Sequence, residues 1–177
     1  MKRPDSGAPI ISPFAIIPDA LKRPLQSCGY RRDLLRSDFR AFAPALADLR
    51  KACELEPEAR DDSPFRLWLI RCRLGDKEAA DKDLRAFVEK SRSLDDWPAK
   101  IARFLSGQLS EPDFLKASSN ATQRCQACFY AASKRLLQGR PSAATNLLAQ
   151  CLATGAKTLP EYQSAAAELT FLAPAKP

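Results

Sequence analysis

The chain has 177 residues, about the length of one domain, and its 45% apolar and 28% charged residues are typical of globular proteins. It has 28 Lys and Arg, 21 Asp and Glu, a formal net charge of +7, and no His. Without His, catalytic triads, Cys–His dyads and imidazole zinc sites are excluded. We therefore expect a non-enzymatic protein with no catalytic residue, metal or cofactor.

The first segment, residues 1–24, is predicted to be an extended arm. Its five prolines prevent a long helix and favour extended backbone. They are Pro4, Pro9, Pro13, Pro18 and Pro24. The arm is expected either to pack along the body of the protein or to dock on a partner.

The sequence predicts no membrane span, because no run approaches about 20 consecutive apolar residues. The apolar stretch at 10–18 is interrupted by prolines, unlike the unbroken core of a secretory signal. We expect a cytoplasmic protein. The alternative is a periplasmic protein whose signal has been removed.

The N-terminal third carries most of the positive charge. Residues 1–51 contain ten basic and five acidic residues, so +5 of the net +7 lies there. Four arginines in this region recur at helical spacing and form a predicted basic stripe: Arg31, Arg32, Arg36 and Arg40. Net charge governs association rather than fold, so we expect an acidic partner at this end.

Residues 25–172 are predicted to form an all-α domain, followed by a C-terminal tail at 173–177. Short apolar stretches at helical spacing are interrupted by Gly or Pro about every dozen residues. Asp96-Trp97-Pro98 and Ser110-Glu111-Pro112-Asp113 each place a capping residue ahead of an early proline. The predicted helices span 26–36, 41–55, 63–73, 77–91, 97–106, 111–118, 122–138, 141–153 and 160–172.

Three segments share a small Ala that is followed four residues later by Leu. Ala45, Ala80 and Ala144 occupy this position, with separations of 35 and 64 residues. A small residue lets two helices approach closely, and a Gly at the turn lets one helix end sharply before the next begins. The spacing predicts helical hairpins in series, with one shortened hairpin at 97–118.

Several short segments carry a family resemblance: Leu67-Trp68-Leu69, Leu74-Gly75, Asp96-Trp97-Pro98, the stretches 104–110 and 123–130, Glu161-Tyr162 and Ala167-Glu168-Leu169. Over residues 63–171 they resemble the tetratricopeptide-repeat (TPR) family and, within it, small bacterial lipoproteins of the new-lipoprotein-I type. The resemblance implies an α-solenoid of helical hairpins. It also implies a scaffold or adaptor that binds another protein.

A TPR array presents the first helices of its hairpins as a concave groove that holds an extended or helical peptide. The predicted groove residues are Tyr30, Leu34, Phe65, Leu69, Arg73, Phe129 and Ser133. With the basic end, the predicted partner-binding residues become Tyr30, Arg31, Arg32, Arg36, Phe65, Leu69, Arg73, Phe129 and Ser133. We expect a partner protein with an acidic or extended segment.

Two alternative functions remain open. The first is a nucleic-acid-associated accessory protein that uses the Arg stripe, although the aromatic residues of single-strand platforms are missing and nucleic acid is therefore disfavoured. The second is an inhibitor or immunity-type protein that blocks an acidic enzyme surface.

The cysteines and two glutamates are expected to be structural. Cys125 and Cys128 lie on one predicted helix face, and core packing is favoured over a zinc or redox role. Cys151 lies near the end of a second helix of a hairpin, where a buried thiol is expected. Glu161 follows Pro160 in a first helical turn, where an acid suits the helix dipole. Glu168, seven residues later, is expected to meet partners along the helix face.

Overall fold

A computed structural model describes residues 42–47, 63–90, 93 and 95–173. All regular structure in these ranges is helical, which confirms the all-α prediction for this part of the chain. A short helical segment at 42–47 precedes seven helices: α1 (Ser63–Arg73), α2 (Lys77–Lys90), α3 (Trp97–Leu105), α4 (Glu111–Lys116), α5 (Ala121–Leu137), α6 (Pro141–Ala153) and α7 (Pro160–Leu172).

The predicted helix bounds from residue 63 onward agree with these seven helices to within two residues. The arm at 1–24, the helix at 26–36, most of the helix at 41–55 and the tail beyond residue 173 lie outside the described residues. None of the helices in the described ranges has the length and apolar character that a bilayer crossing needs.

Local signals explain where several helices begin. Ser110 Oγ accepts a hydrogen bond from the Asp113 backbone N–H at 3.3 Å, as the capping-box pattern predicts. Asn120 Oδ1 caps α5 in the same way by accepting from the Gln123 N–H at 2.9 Å. Asp96 occupies the N-cap position of α3, but its side chain accepts no cap hydrogen bond, so capping through that carboxylate was predicted wrongly.

Glycines close the first helix of each hairpin. Gly75 and Gly139 have φ angles of 85° and 70°, a left-handed conformation that residues with side chains rarely adopt. The residue after each glycine donates its N–H back into the helix: Asp76 to the Arg71 carbonyl and Arg140 to the Arg135 carbonyl, both at 2.9 Å. Gly107 closes α3 with the same pattern of hydrogen bonds.

The three closing glycines recur every 32 residues, at Gly75, Gly107 and Gly139. An aromatic residue recurs with the same period at Phe65, Trp97 and Phe129. The period is slightly shorter than the separation of 35 between Ala45 and Ala80 indicated. The middle hairpin is short, as predicted, because α3 has nine residues and α4 has six.

Helices pack on their neighbours in sequence order. The first helices of successive hairpins contact one another, α1 with α3, α3 with α5 and α5 with α7. The second helices lie between them: α2 contacts α1 and α3, α4 contacts α3 and α5, and α6 contacts α5 and α7. One hydrophobic core runs through all seven helices, and its largest buried side chains are Phe65, Phe104, Phe114, Leu84, Ile101, Leu105, Tyr130 and Leu148.

The three alanines of the repeat pattern are all buried. Ala80 and Ala144 lie in the main core, and Ala45 forms a smaller cluster with Ile70. Close approach of helices at these positions is therefore confirmed. The leucines four residues after Ala80 and Ala144 are likewise buried, Leu84 on α2 and Leu148 on α6.

Candidate partner-binding site

Polar side chains join the first and last of the seven helices. Arg73 on α1 donates to Glu168 Oε1 on α7 at 2.5 Å. Arg66, one helix face and seven residues earlier, places Nη1 and Nη2 each 3.4 Å from Ser164 Oγ. Ser164 and Glu168 are four residues apart and therefore lie on one face of α7. Two matched pairs of side chains thus connect α1 to α7.

These side chains are largely removed from solvent. Arg66 is 4% exposed, Glu168 is 7% exposed, and the Arg73 side chain is 14% exposed. Aromatic rings complete their surroundings, since the Arg66 guanidinium lies 5.9 Å from the centre of the Phe129 ring and the Arg73 guanidinium 5.1 Å from that of Phe42. Guanidinium over an aromatic face is a favourable cation–π arrangement. The short helical segment at 42–47 is held against α1 partly by this contact.

The structure buries four residues that the sequence placed in an open groove. Phe65, Leu69, Phe129 and Ser133 are each less than 10% exposed, which corrects the prediction that they line an exposed surface. The physical reason is direct packing between first helices. Phe65, for example, lies edge-on to Phe87 of α2 at 5.6 Å and to Tyr130 of α5 at 5.8 Å between ring centres.

Arg73 is the described partner-binding candidate that keeps some exposure, and its guanidinium is paired with Glu168. The other candidates, Tyr30, Arg31, Arg32 and Arg36, lie outside the described residues, as does Leu34. The structure therefore brings Arg73 close to Glu168 and places Phe129 beneath Arg66. It leaves the basic end as a prediction.

Neither protein-family models nor curated proteins match this sequence. The site is therefore interpreted from its own geometry. The paired Arg–carboxylate chemistry at α1 and α7 is the kind that recognises acidic side chains, since a guanidinium presents a fork of donors that fits a carboxylate.

A second buried carboxylate lies at the start of α7. Glu161 is 1% exposed, and its Oε1 accepts hydrogen bonds from the Tyr130 hydroxyl at 3.2 Å and from Gln126 Nε2 at 3.4 Å. Gln126 Oε1 in turn accepts from Trp97 Nε1 at 2.7 Å, so the network joins α3, α5 and α7. Among the described residues, Glu161 Oε2 has no hydrogen-bond partner.

The sequence missed the burial of both glutamates. Glu161 was expected at an exposed first turn and Glu168 on a face open to partners, but both lie inside the helix packing. A partial signal was present, because α7 has an apolar composition around its circumference, with few charged residues besides these two. Such a helix is typically buried on more than one face.

An open cavity of about 580 Å³ lies where α5 begins and α6 ends. Its lining is polar and small, and Arg124 is the charged residue within it. The Arg124 guanidinium donates to the Leu115 carbonyl at 3.2 Å, which fixes one of its donors. The full lining is Ser118, Ser119, Asn120, Ala121, Arg124, Gln150, Ala153 and Thr154.

Titratable groups in the described ranges do not assemble into a metal site. No group of three or more Cys, Asp or Glu in the part of the chain described here has positions suited to holding a metal ion. Burial lowers the pKa of Lys134, with the nearby charge of Lys77 adding to the effect. Lys134 Nζ is already engaged, because it donates to the Phe104 carbonyl at 2.6 Å.

Proposed function

We propose that this chain is a non-enzymatic α-solenoid of TPR type that binds a partner protein as a scaffold or adaptor. The observation that carries the proposal is the 32-residue recurrence of the closing glycines Gly75, Gly107 and Gly139. Together with packing of each first helix on the next, this recurrence is the arrangement expected of stacked hairpin repeats. Repeat arrays of this kind serve chiefly as extended binding surfaces.

The proposed contact surface differs from an open apolar groove. Phe65, Leu69, Phe129 and Ser133 stabilise the helix packing and are not available to a partner in this conformation. The predicted basic end, with Arg31, Arg32 and Arg36 beside Tyr30, then provides the first contact with an acidic segment of the partner. Long-range attraction between the charges increases the rate of encounter.

Arg73 provides a second contact in this proposal. Its guanidinium is occupied by the chain's own Glu168, which is an acidic group of the same chemistry as the expected partner side chains. A partner carboxylate binds Arg73 only by replacing Glu168. The chain's own ion pair therefore makes binding more selective, because a weakly acidic segment does not displace it.

Quantitative affinity capture with the full-length chain tests the proposal. The wild type is compared with Arg31→Glu/Arg32→Glu and with Lys82→Glu/Arg85→Glu, a control that makes the same change of charge on exposed residues of α2. We expect at least one protein to be enriched by the wild type and by the control, and lost with the first variant. If the wild type and both variants retain the same proteins, the basic end does not bind the partner.

Nuclease treatment separates this function from the nucleic-acid alternative. A protein partner held by the chain itself stays bound after nuclease digestion, whereas co-purification through nucleic acid is lost and falls steeply with salt. Cytoplasmic placement, with periplasmic placement as the alternative, remains a prediction.

A further inference from the structure

Two cysteine thiols meet between the ends of the α5–α6 hairpin. Cys125 Sγ, near the start of α5, lies 3.3 Å from Cys151 Sγ, near the end of α6. The two residues are 26 positions apart in sequence, and both are fully buried. The contact arises because α5 and α6 run back along each other after the turn closed by Gly139, which sets the start of one helix beside the end of the other.

This pairing differs from the one that the sequence suggests. The Cys-x-x-Cys spacing places Cys125 and Cys128 on one face of α5, yet the sulfur contact of Cys125 is made across the hairpin with Cys151. Cys128 is buried one turn further along in the same core, and Cys72 is a half-buried thiol on α1. The described cysteines thus provide one facing pair and two matched controls.

The protonation of the pair gives the two thiols different roles. The hydrogen bond from the Cys151 thiol stabilises a thiolate on Cys125 and holds the pKa of Cys125 below its usual value. The same hydrogen bond, together with burial, raises the pKa of Cys151. Cys125 therefore ionises first, and the thiolate is the nucleophile in disulfide exchange.

We propose that Cys125 and Cys151 form a reversible disulfide that ties the start of α5 to the end of α6. The oxidant is a small-molecule disulfide of the glutathione type. Formation needs the sulfurs to approach to about 2.05 Å, a short movement from their contact in the dithiol. The bond covalently closes the third hairpin, whose helices also carry Gln126 and Tyr130 of the Glu161 network.

The exchange proceeds in two balanced steps. The Cys125 thiolate attacks one sulfur of the small disulfide, the sulfur–sulfur bond of that disulfide breaks, and one small thiolate leaves with the electron pair. Cys151, after losing its proton to solvent, attacks Cys125 Sγ in the mixed disulfide and releases the second small thiolate. Two protein thiols are oxidised and one small disulfide is reduced to two thiols. Burial of both sulfurs means that local opening of the hairpin precedes the first step.

The test is peptide mapping of the folded, full-length chain after equilibration in a series of reduced and oxidised glutathione. Samples are quenched with acid, unfolded, alkylated and digested with trypsin. Tryptic cleavage leaves Cys125 and Cys128 together in the peptide 125–134, so the Cys128→Ser chain identifies which of the two sulfurs is linked. The proposal predicts a species two hydrogens lighter, linked to the peptide that contains Cys151, in the wild type and in Cys128→Ser and Cys72→Ser.

Cys125→Ser and Cys151→Ser should each abolish that linked species, and circular dichroism verifies that these variants remain helical. A parallel equilibration in concentrated urea measures pairing in the unfolded chain. The folded chain is expected to favour the Cys125–Cys151 bond over every other pair by at least about tenfold, and urea should remove this preference. The proposal is overturned if both cysteines stay alkylatable in fully oxidised glutathione, if Cys128→Ser removes the linked species, or if folded and unfolded chains give the same mixture.

Discussion

Arg73 and Glu168 lie 95 positions apart in the sequence and are joined by a hydrogen bond of 2.5 Å between α1 and α7. Both side chains are mostly buried, so the pair exists only because five intervening helices bring the two ends together. The contact links the first described hairpin to the last helix. It also makes Arg73 unavailable to an acidic partner unless Glu168 moves.

Removal of one member of this pair should destabilise the fold. Arg73→Met leaves the Glu168 carboxylate in a buried position without its guanidinium, and we expect the free energy of unfolding to fall by about 3 kcal/mol. The double variant Arg73→Met/Glu168→Leu should recover much of this loss, because no buried charge remains. Urea denaturation measures both effects.

The control for this pair is Lys77→Met, which breaks an exposed ion pair with Asp81 on α2. An exposed pair between residues four apart contributes only about 0.5 kcal/mol. Equal losses for Arg73→Met and Lys77→Met would show that the α1–α7 contact does not stabilise the fold.

The buried carboxylate at the start of α7 should matter more than its position in a first turn suggests. Glu161→Ala leaves the Tyr130 hydroxyl and the Gln126 amide without their acceptor, and unsatisfied buried groups cost about 1–3 kcal/mol each. We expect a loss of at least about 2 kcal/mol in urea denaturation. Glu161→Gln retains an acceptor oxygen and should lose less.

Glu78 offers a matched comparison, because it is also a first-turn glutamate but is exposed on α2. Glu78→Ala removes only an interaction with the helix dipole, at most about 1 kcal/mol. A Glu161→Ala chain as stable as Glu78→Ala would contradict the role assigned to the hydrogen-bond network.

Much of the fold is readable from the sequence because its helix ends depend on neighbours within a few residues. Ser110 and Asn120 cap helices through their own side chains, and Gly75 and Gly139 close helices through a conformation that other residues avoid. Such signals do not require knowledge of distant contacts. They fixed the bounds of the seven helices from residue 63 onward to within two residues.

The candidate site is less predictable because burial is decided by tertiary contacts. Phe129 and Ser133 occupy positions that face a groove in many stacked hairpins, but here α1, α5 and α7 converge and enclose them. Likewise, no local pattern shows that Glu161 faces Tyr130 or that Cys125 faces Cys151. These relationships arise from how helices far apart in sequence are brought together.

The turn that closes α5 should be sensitive to substitution of its glycine. An added Cβ at Gly139 would meet no atom within 4 Å, so the cost of Gly139→Ala comes from the positive φ of 70°. We expect a loss of about 1–2 kcal/mol in thermal or urea unfolding. Gly139→Asn should cost less, since Asn tolerates this conformation better. An alanine variant as stable as the wild type would show that the backbone changes conformation at this turn.

The thiol of Cys72 should titrate above the range of an ordinary cysteine. Burial, with a further contribution from the charge of Asp81, raises its pKa from 9.0 to about 11. Because the thiolate is the reactive form, alkylation should accelerate about tenfold per pH unit from about pH 7 to about pH 10. A short peptide with an unburied cysteine should level off near its own pKa of about 8.5.

The alkylation rate is measured by mass spectrometry on the peptide that contains Cys72, with the Cys72→Ser chain as the blank. Circular dichroism at each pH confirms that the helices persist. A rate that levels off near pH 9, as for the 9.0 reference value, would contradict burial as the cause of the shift.

Binding between the purified full-length chain and its captured protein partner, after nuclease treatment of both, is the most direct test of the proposed function. An unrelated protein of similar charge, with a pI near 9.3, serves as the control. Isothermal titration calorimetry should show saturable binding to this chain, weaker binding to Arg31→Glu/Arg32→Glu, and none to the control. Loss of all binding after nuclease treatment, or equal binding to the control protein, would contradict the account.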